Sequence, residues 1–251
     1  MGHSDTFKRY EYKYILKYEQ YIRLHGLMAQ YMAPDAHGET VIRNIYFDTP
    51  DYRLIRRSIE KPVYKEKLRI RSYRQAEPES TVFVELKKKY KKVVYKRRIS
   101  LPEREAMQWI CGDSHCRDTT QISDEIDYFI KYYEGIRPVA FISYKRQAYY
   151  GKDDMDFRIT FDTDILCRTT DISLESEIYG EPLLGDGEVL LEIKCALGMP
   201  LWLVGYLSRE QIRQTSFSKY GTAYQRMIYP KIKSRFSCLK ADEKKELYYV
   251  N

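Results

Sequence analysis

The chain has no apolar run long enough to cross a bilayer. Its longest candidate, MPLWLVGYL, ends at about half of the roughly 20 residues a membrane helix needs, and Pro200 and Gly205 interrupt it. The first ten residues, MGHSDTFKRY, have no apolar stretch of the kind a secretory signal carries. Cysteine is sparse and odd in number: Cys111, Cys116, Cys167, Cys195 and Cys238 are scattered along the chain. That pattern argues against a disulfide framework and for reduced thiols, so a cytoplasmic location is expected. CGDSHC, which places His115 beside Cys116, resembles half of a metal site, but no second cluster completes four ligands, and it reads as a loop with unpaired thiols. No internal repeat and no low-complexity tract is present.

Charge and tyrosine are abundant. The 251 residues carry a net charge of +7 and 25 tyrosines. Charged residues make up 31% of the chain and hydrophobic ones 43%, as in a water-soluble domain with a polar surface. A positive balance points to anionic partners: nucleic acid, a membrane surface or a phosphorylated small molecule. The length suits a single domain spanning residues 1–251.

Alternation with period two, broken by Pro, Gly, Asp or Ser, predicts strands at 8–16, 41–48, 64–74, 81–89, 93–101, 139–148, 156–165 and 188–195. Helices are expected at 17–32, 102–110, 123–135, 199–212 and 219–228, the second opened by Pro102 and the third closed by Gly135. Strands 64–101 follow one another too closely for crossovers, so the sheet should be mainly antiparallel. The expected class is α+β: an eight-stranded, mainly antiparallel β-barrel with helices packed on the outside. The basic run KKKYKKVVYKRR (87–98) reads as a hairpin or solvated edge.

Parity sorts each strand into two faces. One face collects Arg9, Glu11 and Lys13, then Lys65, Lys67, Arg69, Arg71 and Tyr73, then Glu85, Lys87 and Lys89. Later strands add Lys96 with Arg98, Arg158 with Asp156, Asp162 and Asp164, and Glu188 and Glu192 with Lys194. The other face holds Leu68 and Ile70, Val82, Val84 and Leu86, Phe157, Ile159 and Phe161, and Val189, Leu191 and Ile193. Helices must cover the apolar face, which turns the charged one inward. Cations buried together without partners lose several kcal/mol of hydration each, on the order of magnitude known for ions in proteins, so this interior wants a polyanion. Cations converging from several strands suit a thin chain of phosphates, and the mixture of Arg69, Arg71, Lys87, Lys96, Arg98, Arg146 and Arg158 offers both planar forks and point charges. Glu192, with Glu85 or Glu11, offers carboxylate oxygens to a divalent cation such as Mn²⁺ or Mg²⁺, the alternative for each being a salt bridge to a luminal lysine.

RYEYKYIL, IRNIYFDTPDY, KLRIRSY, FVELKKK, YKRRISL, YKRQAY, RITFDTDI, LLEIK and SFSKYGTAY occur in that order over nearly the whole chain. In this the sequence resembles the VTC domain, a branch of the triphosphate tunnel metalloenzyme superfamily. The resemblance implies a tunnel that binds triphosphate units and, in the best-known members, makes polyphosphate from ATP. It implies that Lys13, Arg69, Arg71, Lys87, Lys96, Arg146 and Arg158 bind phosphate, and that Glu192 binds metal. Lys219 corresponds to a lysine on a closing helix, and Tyr144 to a residue that stacks on a nucleoside base. The sequence departs from the superfamily's Glu-x-Glu-x-Lys strand by having Arg9, Glu11 and Lys13, and Ser216 stands where some polymerases have a second lysine.

The function expected is a metal-dependent polyphosphate polymerase, an ATP–polyphosphate phosphotransferase. Arg69, Arg71, Lys87, Lys96, Arg146 and Arg158 clamp the transferring phosphates, while Lys13, Arg98, Tyr144, Lys194 and Lys219 bind substrate. The expected metal ligands are Glu192, Glu85 and Glu11. Expected partners are ATP and inorganic polyphosphate or triphosphate, with no nucleic acid and with room for a membrane-protein partner. Alternatives are a tripolyphosphatase, with Asp162, Asp164 or Glu85 positioning water, a non-catalytic polyphosphate-binding module, and an RNA binder using Tyr64, Tyr73, Tyr90 and Tyr95 as a stacking platform.

Overall fold

The computed structural model describes residues 10–234, apart from 92, 113, 118 and 197, so the expected start of the first strand at Lys8 and Arg9 lies outside the described residues. Strand β1 (Tyr10–Lys17) runs into helix α1 (Tyr18–Met28), and the long β2 (Met32–Asp48) leads to α2 (Arg53–Ile59). A meander follows: β3 (Tyr64–Ser72), β4 (Thr81–Tyr90) and β5 (Val93–Pro102). Helices α3 (Glu103–Cys111) and α4 (Gln121–Tyr132) precede β6 (Arg137–Gly151) and β7 (Arg158–Arg168). The short β8 (Glu181–Pro182), β9 (Glu188–Cys195), α5 (Leu201–Arg209) and α6 (Lys219–Ala223) complete the order, with one π-helical turn (Tyr224–Ile228) prolonging α6.

Eight of the strands form one sheet in the order β1-β9-β7-β6-β2-β3-β4-β5, with β8 added on β7, and every pairing is antiparallel. The strands β1 and β5 end that order, and among the described residues no ladder joins them. The sheet nevertheless curls far enough to bring its ends together. Lys87 on β4 lies 3.4 Å from Glu11 on β1, although five strands stand between β4 and β1 in the order. The expected barrel is therefore an almost closed tube held across its seam by side chains. The free edge of β1 is met by the segment before α6, where Thr215 N–H donates to the Lys13 carbonyl at 2.7 Å.

Alternation does what it promised on the outer face. Leu68, Ile70, Val84 and Leu86 pack under Trp109 and Ile110 of α3 and Ile126 and Phe129 of α4. On the other side Leu16, Ile159, Phe161, Leu191 and Ile193 pack under Leu24 and Met28 of α1 and Leu203 and Leu207 of α5. Each such large apolar side chain contributes about 1.5–3 kcal/mol when fully buried, which fixes the register and so fixes which residues face inward.

Helix α6 departs from the expected arrangement. It packs against the inward-facing Ile42, Tyr46, Tyr144 and Leu190 and plugs one end of the tube, instead of covering its outside. Tyr220 stacks on Tyr46 with ring centroids 5.1 Å apart. Asp48 at the end of β2 ties this plug down: its carboxylate accepts from Leu54 and Ile55 N–H at the start of α2 and from the Tyr220 hydroxyl at 2.8 Å. Helix α2 was not expected from the sequence, because RLIRRSI is too short to show a 3.6-residue period. Cys111, Cys167 and Cys195 are free thiols, and no group of three metal-ligating side chains gathers among the described residues.

Candidate active site

Two anionic centres organise the cations of the interior. The first is Glu85 on β4, which is fully buried and sits between Arg69 on β3 and Arg98 on β5 in the strand register. Arg69 donates to it at 2.8 Å, Arg98 Nε at 2.8 Å and Lys96 at 2.7 Å, with Arg71 at 3.9 Å. Burial alone would raise the carboxyl; Arg69, Arg71 and Lys96 outweigh it and hold Glu85 far below the usual carboxylate range.

The second centre joins Asp162 on β7 to Glu192 on β9. Register places Arg146 opposite Asp162 and Lys13 opposite Glu192. Arg146 grips Asp162 with two bonds of 2.5 and 2.6 Å and reaches Glu192 at 3.3 Å. Lys219, carried in by the plug helix, lies 2.5 Å from Asp162 and 3.4 Å from Glu192, and Lys13 lies 3.2 Å from Glu192 and 3.3 Å from Glu11. Burial opposes ionisation of Glu192, but Lys219, Lys13 and Arg146 prevail and keep it well below its ordinary value. Glu11 is likewise brought down to about 2, against burial, by Lys87 and Lys13.

These acids do not neutralise the interior. Lys67 reaches inward and donates to Ser218 Oγ at 3.0 Å, with no carboxylate of a described residue in ion-pair range. Burial, followed by repulsion from Lys13, Lys87, Lys65 and Arg69, pushes its ammonium down to about 7. Lys194 is also lowered, by burial first, with Arg146 and Lys87 adding to it. Arg158 stands exposed at the start of β7, opposite Lys194, and makes no ion pair with a described residue.

The sequence-predicted set thus largely converges, with four corrections. Glu85 belongs to the Arg69–Lys96–Arg98 centre, whose cations take up both of its oxygens, and it has no partner in common with Glu192 among the ion pairs of the described residues. Asp164 leaves the interior because a bulge between β6 and β7 gives it a positive φ of 49°, and it pairs outside with Lys145 at 2.8 Å. Tyr144 offers no open face for a base: it is buried, with Lys219 4.3 Å and Arg146 5.2 Å from its ring centroid. Its hydroxyl accepts from Arg71 at 3.2 Å. The tyrosine platform does not form either. Tyr73 binds Arg98 on the inner side, whereas Tyr64 turns outward to Glu66.

Three further residues act on this site. Asn44 Oδ1 accepts from Arg71 Nε at 3.0 Å, the Tyr46 hydroxyl from Arg69 at 3.2 Å, and Ser218 positions Lys67 while also capping α6. The alternation of Asn44 and Tyr46 with Ile45 and Phe47 was the readable signal for the first two.

Glu192 and Glu11 are the carboxylates of this region that could be offered to a divalent cation, although no third metal-ligating side chain joins them among the described residues. The Lys13 ammonium lies between the Glu11 and Glu192 carboxylates at 3.3 and 3.2 Å. Thr160, directly opposite Glu192, has a buried Oγ1 without a hydrogen-bond partner. Hard oxygen donors of this kind suit Mg²⁺ or Mn²⁺.

A profile of the VTC domain matches residues 8–228. The chain belongs to the VTC domain family. Among solved structures, a Bacillus halodurans protein provisionally assigned as an adenylate cyclase aligns with a TM-score of 0.54 at 15% identity, covering 88% of this VTC domain chain and 99% of its own. HpAC1 from Hippeastrum, provisionally an adenylyl cyclase and described as having a dominant triphosphatase activity, aligns with a TM-score of 0.52 at 14% identity, covering 86% and 94%. At these identities the likeness shows the shared tunnel fold. No curated protein matches the sequence. No helix among the described residues of this VTC domain is long and apolar enough to cross a membrane.

Proposed function

We propose that this chain is a polyphosphate polymerase: it takes the triphosphate of ATP into the interior, passes the γ-phosphoryl group to the end of a growing inorganic polyphosphate, and releases ADP. The observation that carries this is the unanswered positive charge. Lys67 and Lys194, with the exposed Arg158 at the start of β7, join the cations of both centres on the inward face, with too few anions among the described residues to match them. A phosphate chain supplies the missing charge.

In this reading Arg69, Arg71, Lys96 and Arg98 exchange part of their hold on Glu85 for phosphate oxygens, and Arg146, Lys13 and Lys219 do the same at Asp162 and Glu192. Glu192 with Glu11 and Thr160 would hold the divalent ion, which when bound draws charge from phosphate oxygens. Catalysis is alignment and charge stabilisation of the transferring group.

Transfer is favoured over hydrolysis by the state of the acids. Activating water needs a basic carboxylate, but Glu85 is clamped by cations that make it a weak base, and both Asp162 oxygens are occupied by Arg146 and Lys219. A terminal phosphate is ionised already and needs no base.

The test is incubation of the protein with ATP and Mn²⁺ or Mg²⁺, with products resolved on a gel. Long phosphate chains are expected, and Arg71→Ala should slow their formation about 100-fold or more. Orthophosphate as the sole product, or no turnover with only a rise in Tm on adding tripolyphosphate, would overturn the assignment in favour of hydrolysis or binding alone.

A further inference from the structure

The basic run at 87–98 is only half used by the interior. Alternation turns Lys87 and Lys96 towards the inward-facing acids, while the β4–β5 turn forms a tip together with the start of β3. The last rung across the three strands is Tyr64–Tyr90–Val93, the next is Lys65–Lys89–Val94, and behind them Lys88 faces Tyr95. Lys91 N–H donates to the Val63 carbonyl at 3.1 Å, which ties this turn to the one that follows α2 and carries Lys61. Large side chains here are open to water: Val63 is 63% exposed, and Tyr64, Tyr90, Val94 and Tyr95 lie between 38% and 44%.

The tip is also strongly basic. No acid occurs between Leu86 and Arg98, and no carboxylate of a described residue is in ion-pair range of Lys61, Lys65, Lys89 or Lys91. Lys65 donates to the Ser58 carbonyl at 3.3 Å, and Lys89, Lys87, Lys13 and Lys61 stand close enough to repel it. Lys91 lies 5.3 Å from the centre of the Tyr90 ring. The acids nearby are engaged: Glu125 holds Lys88 and Arg97, and the buried Glu66 accepts from the Tyr64 and Tyr133 hydroxyls. Glu60, next to Lys61, is exposed and offsets one charge. Lys61 and Lys91 have φ of 55° and 44°, in the left-handed region that glycine enters more cheaply, so cationic side chains stand at both turns at a backbone cost.

Lysine on an edge hairpin guards against strand pairing, but that purpose needs no exposed valine or tyrosine. A nucleic acid would use the lysines and want aromatic faces to stack on, yet Tyr64, Tyr90 and Tyr95 form no ring pair with one another. Anionic lipid answers both halves: its head groups take the ammonium groups, and the interfacial layer takes Val63, Val94 and the rings of Tyr90 and Tyr95. We propose that this tip docks the protein reversibly on an anionic membrane surface. Shallow apolar contact and basic charge act together there, since neither holds a protein on a bilayer alone. The proposal concerns the outside of the hairpin and stands without the polymerase reading.

Co-sedimentation with vesicles of phosphatidylcholine alone, and of phosphatidylcholine mixed with phosphatidylserine, tests it. The protein should bind the mixed vesicles at least about ten-fold more tightly, and less so as salt is raised. Lys61→Glu combined with Lys91→Glu should weaken that binding about 30-fold or more. Val63→Ser combined with Tyr90→Ser should weaken it about ten-fold. Both double variants should keep the Tm rise caused by tripolyphosphate, and saturating tripolyphosphate should leave the wild-type protein on the vesicles. No binding to mixed vesicles, equal binding to both kinds, release by tripolyphosphate, or binding undiminished in either double variant would each overturn the proposal. A single-stranded oligonucleotide bound more tightly than the mixed vesicles, and lost only in the lysine variant, would assign the tip to nucleic acid instead. Should a double variant fail to fold, Lys91→Glu and Val63→Ser alone, both at exposed positions, decide the matter.

Discussion

Glu85 shows how one buried acid can order a set of cations. Four basic side chains surround it, so replacing it with a neutral amide leaves them facing one another, Arg71 buried and Lys96 and Arg98 partly open to solvent. Glu85→Gln should lower stability at neutral pH by about 3–5 kcal/mol, the usual consequence of removing one partner from a buried ionic cluster. Its folded carboxyl titrates below the ordinary value, so the stabilisation is present above the usual carboxylate range and fades as pH falls; the gap between variant and wild type should narrow on acidification. Tripolyphosphate, standing in for the carboxylate, should raise the Tm of the variant more than that of the wild type, and an equal rise would contradict this account. At this scale parity made much of the interior legible: Lys67, Arg69, Glu85, Arg98 and Glu192 could be placed from alternation alone. It failed at Asp164, because a bulge adds a residue to one strand and reverses parity beyond it, and nothing in RITFDTDI announces where that residue is inserted.

Elements decide how the ends of the tube are made. Strand existence was readable because each has one apolar and one charged face, but β2 extends far upstream of Val41 through APDAHGET, whose polar residues hide the strand. The role of α6 was hidden for a different reason. Its tyrosines look like those of any outer helix, and only the tertiary pairing of Tyr220 with Asp48 and Tyr46 shows that it closes the bore. Asp48 keeps its bonds from Leu54 and Ile55 N–H if the Tyr220 hydroxyl is removed, so Tyr220→Phe should cost about 1–2 kcal/mol in urea unfolding without a change of m-value. A loss within error would show that the plug is held by packing alone.

The molecule as a whole stores charge in anticipation of a ligand. Burial and the neighbouring cations push the Lys67 ammonium down to about 7, so between that pH and the ordinary lysine value the unfolded chain carries a proton that the folded one lacks. Stability of the ligand-free protein should accordingly rise with pH through this window, the opposite of the trend for a lysine held by an acid. A phosphate chain restores the ammonium, so tripolyphosphate binding at pH 8 should take up protons, measured as a dependence of the calorimetric heat on buffer ionisation enthalpy. Lys67→Met should reduce that uptake, and identical uptake in both proteins would place the titrating group elsewhere.

The seam between β1 and β5 bears on the width of the bore. No backbone ladder zips those edges among the described residues, and the half-exposed Lys87–Glu11 contact that spans it is worth at most about 1 kcal/mol. The tube behaves there like a split collar: its girth along that line answers to ionic strength, while everywhere else it is set by hydrogen bonds that salt does not loosen.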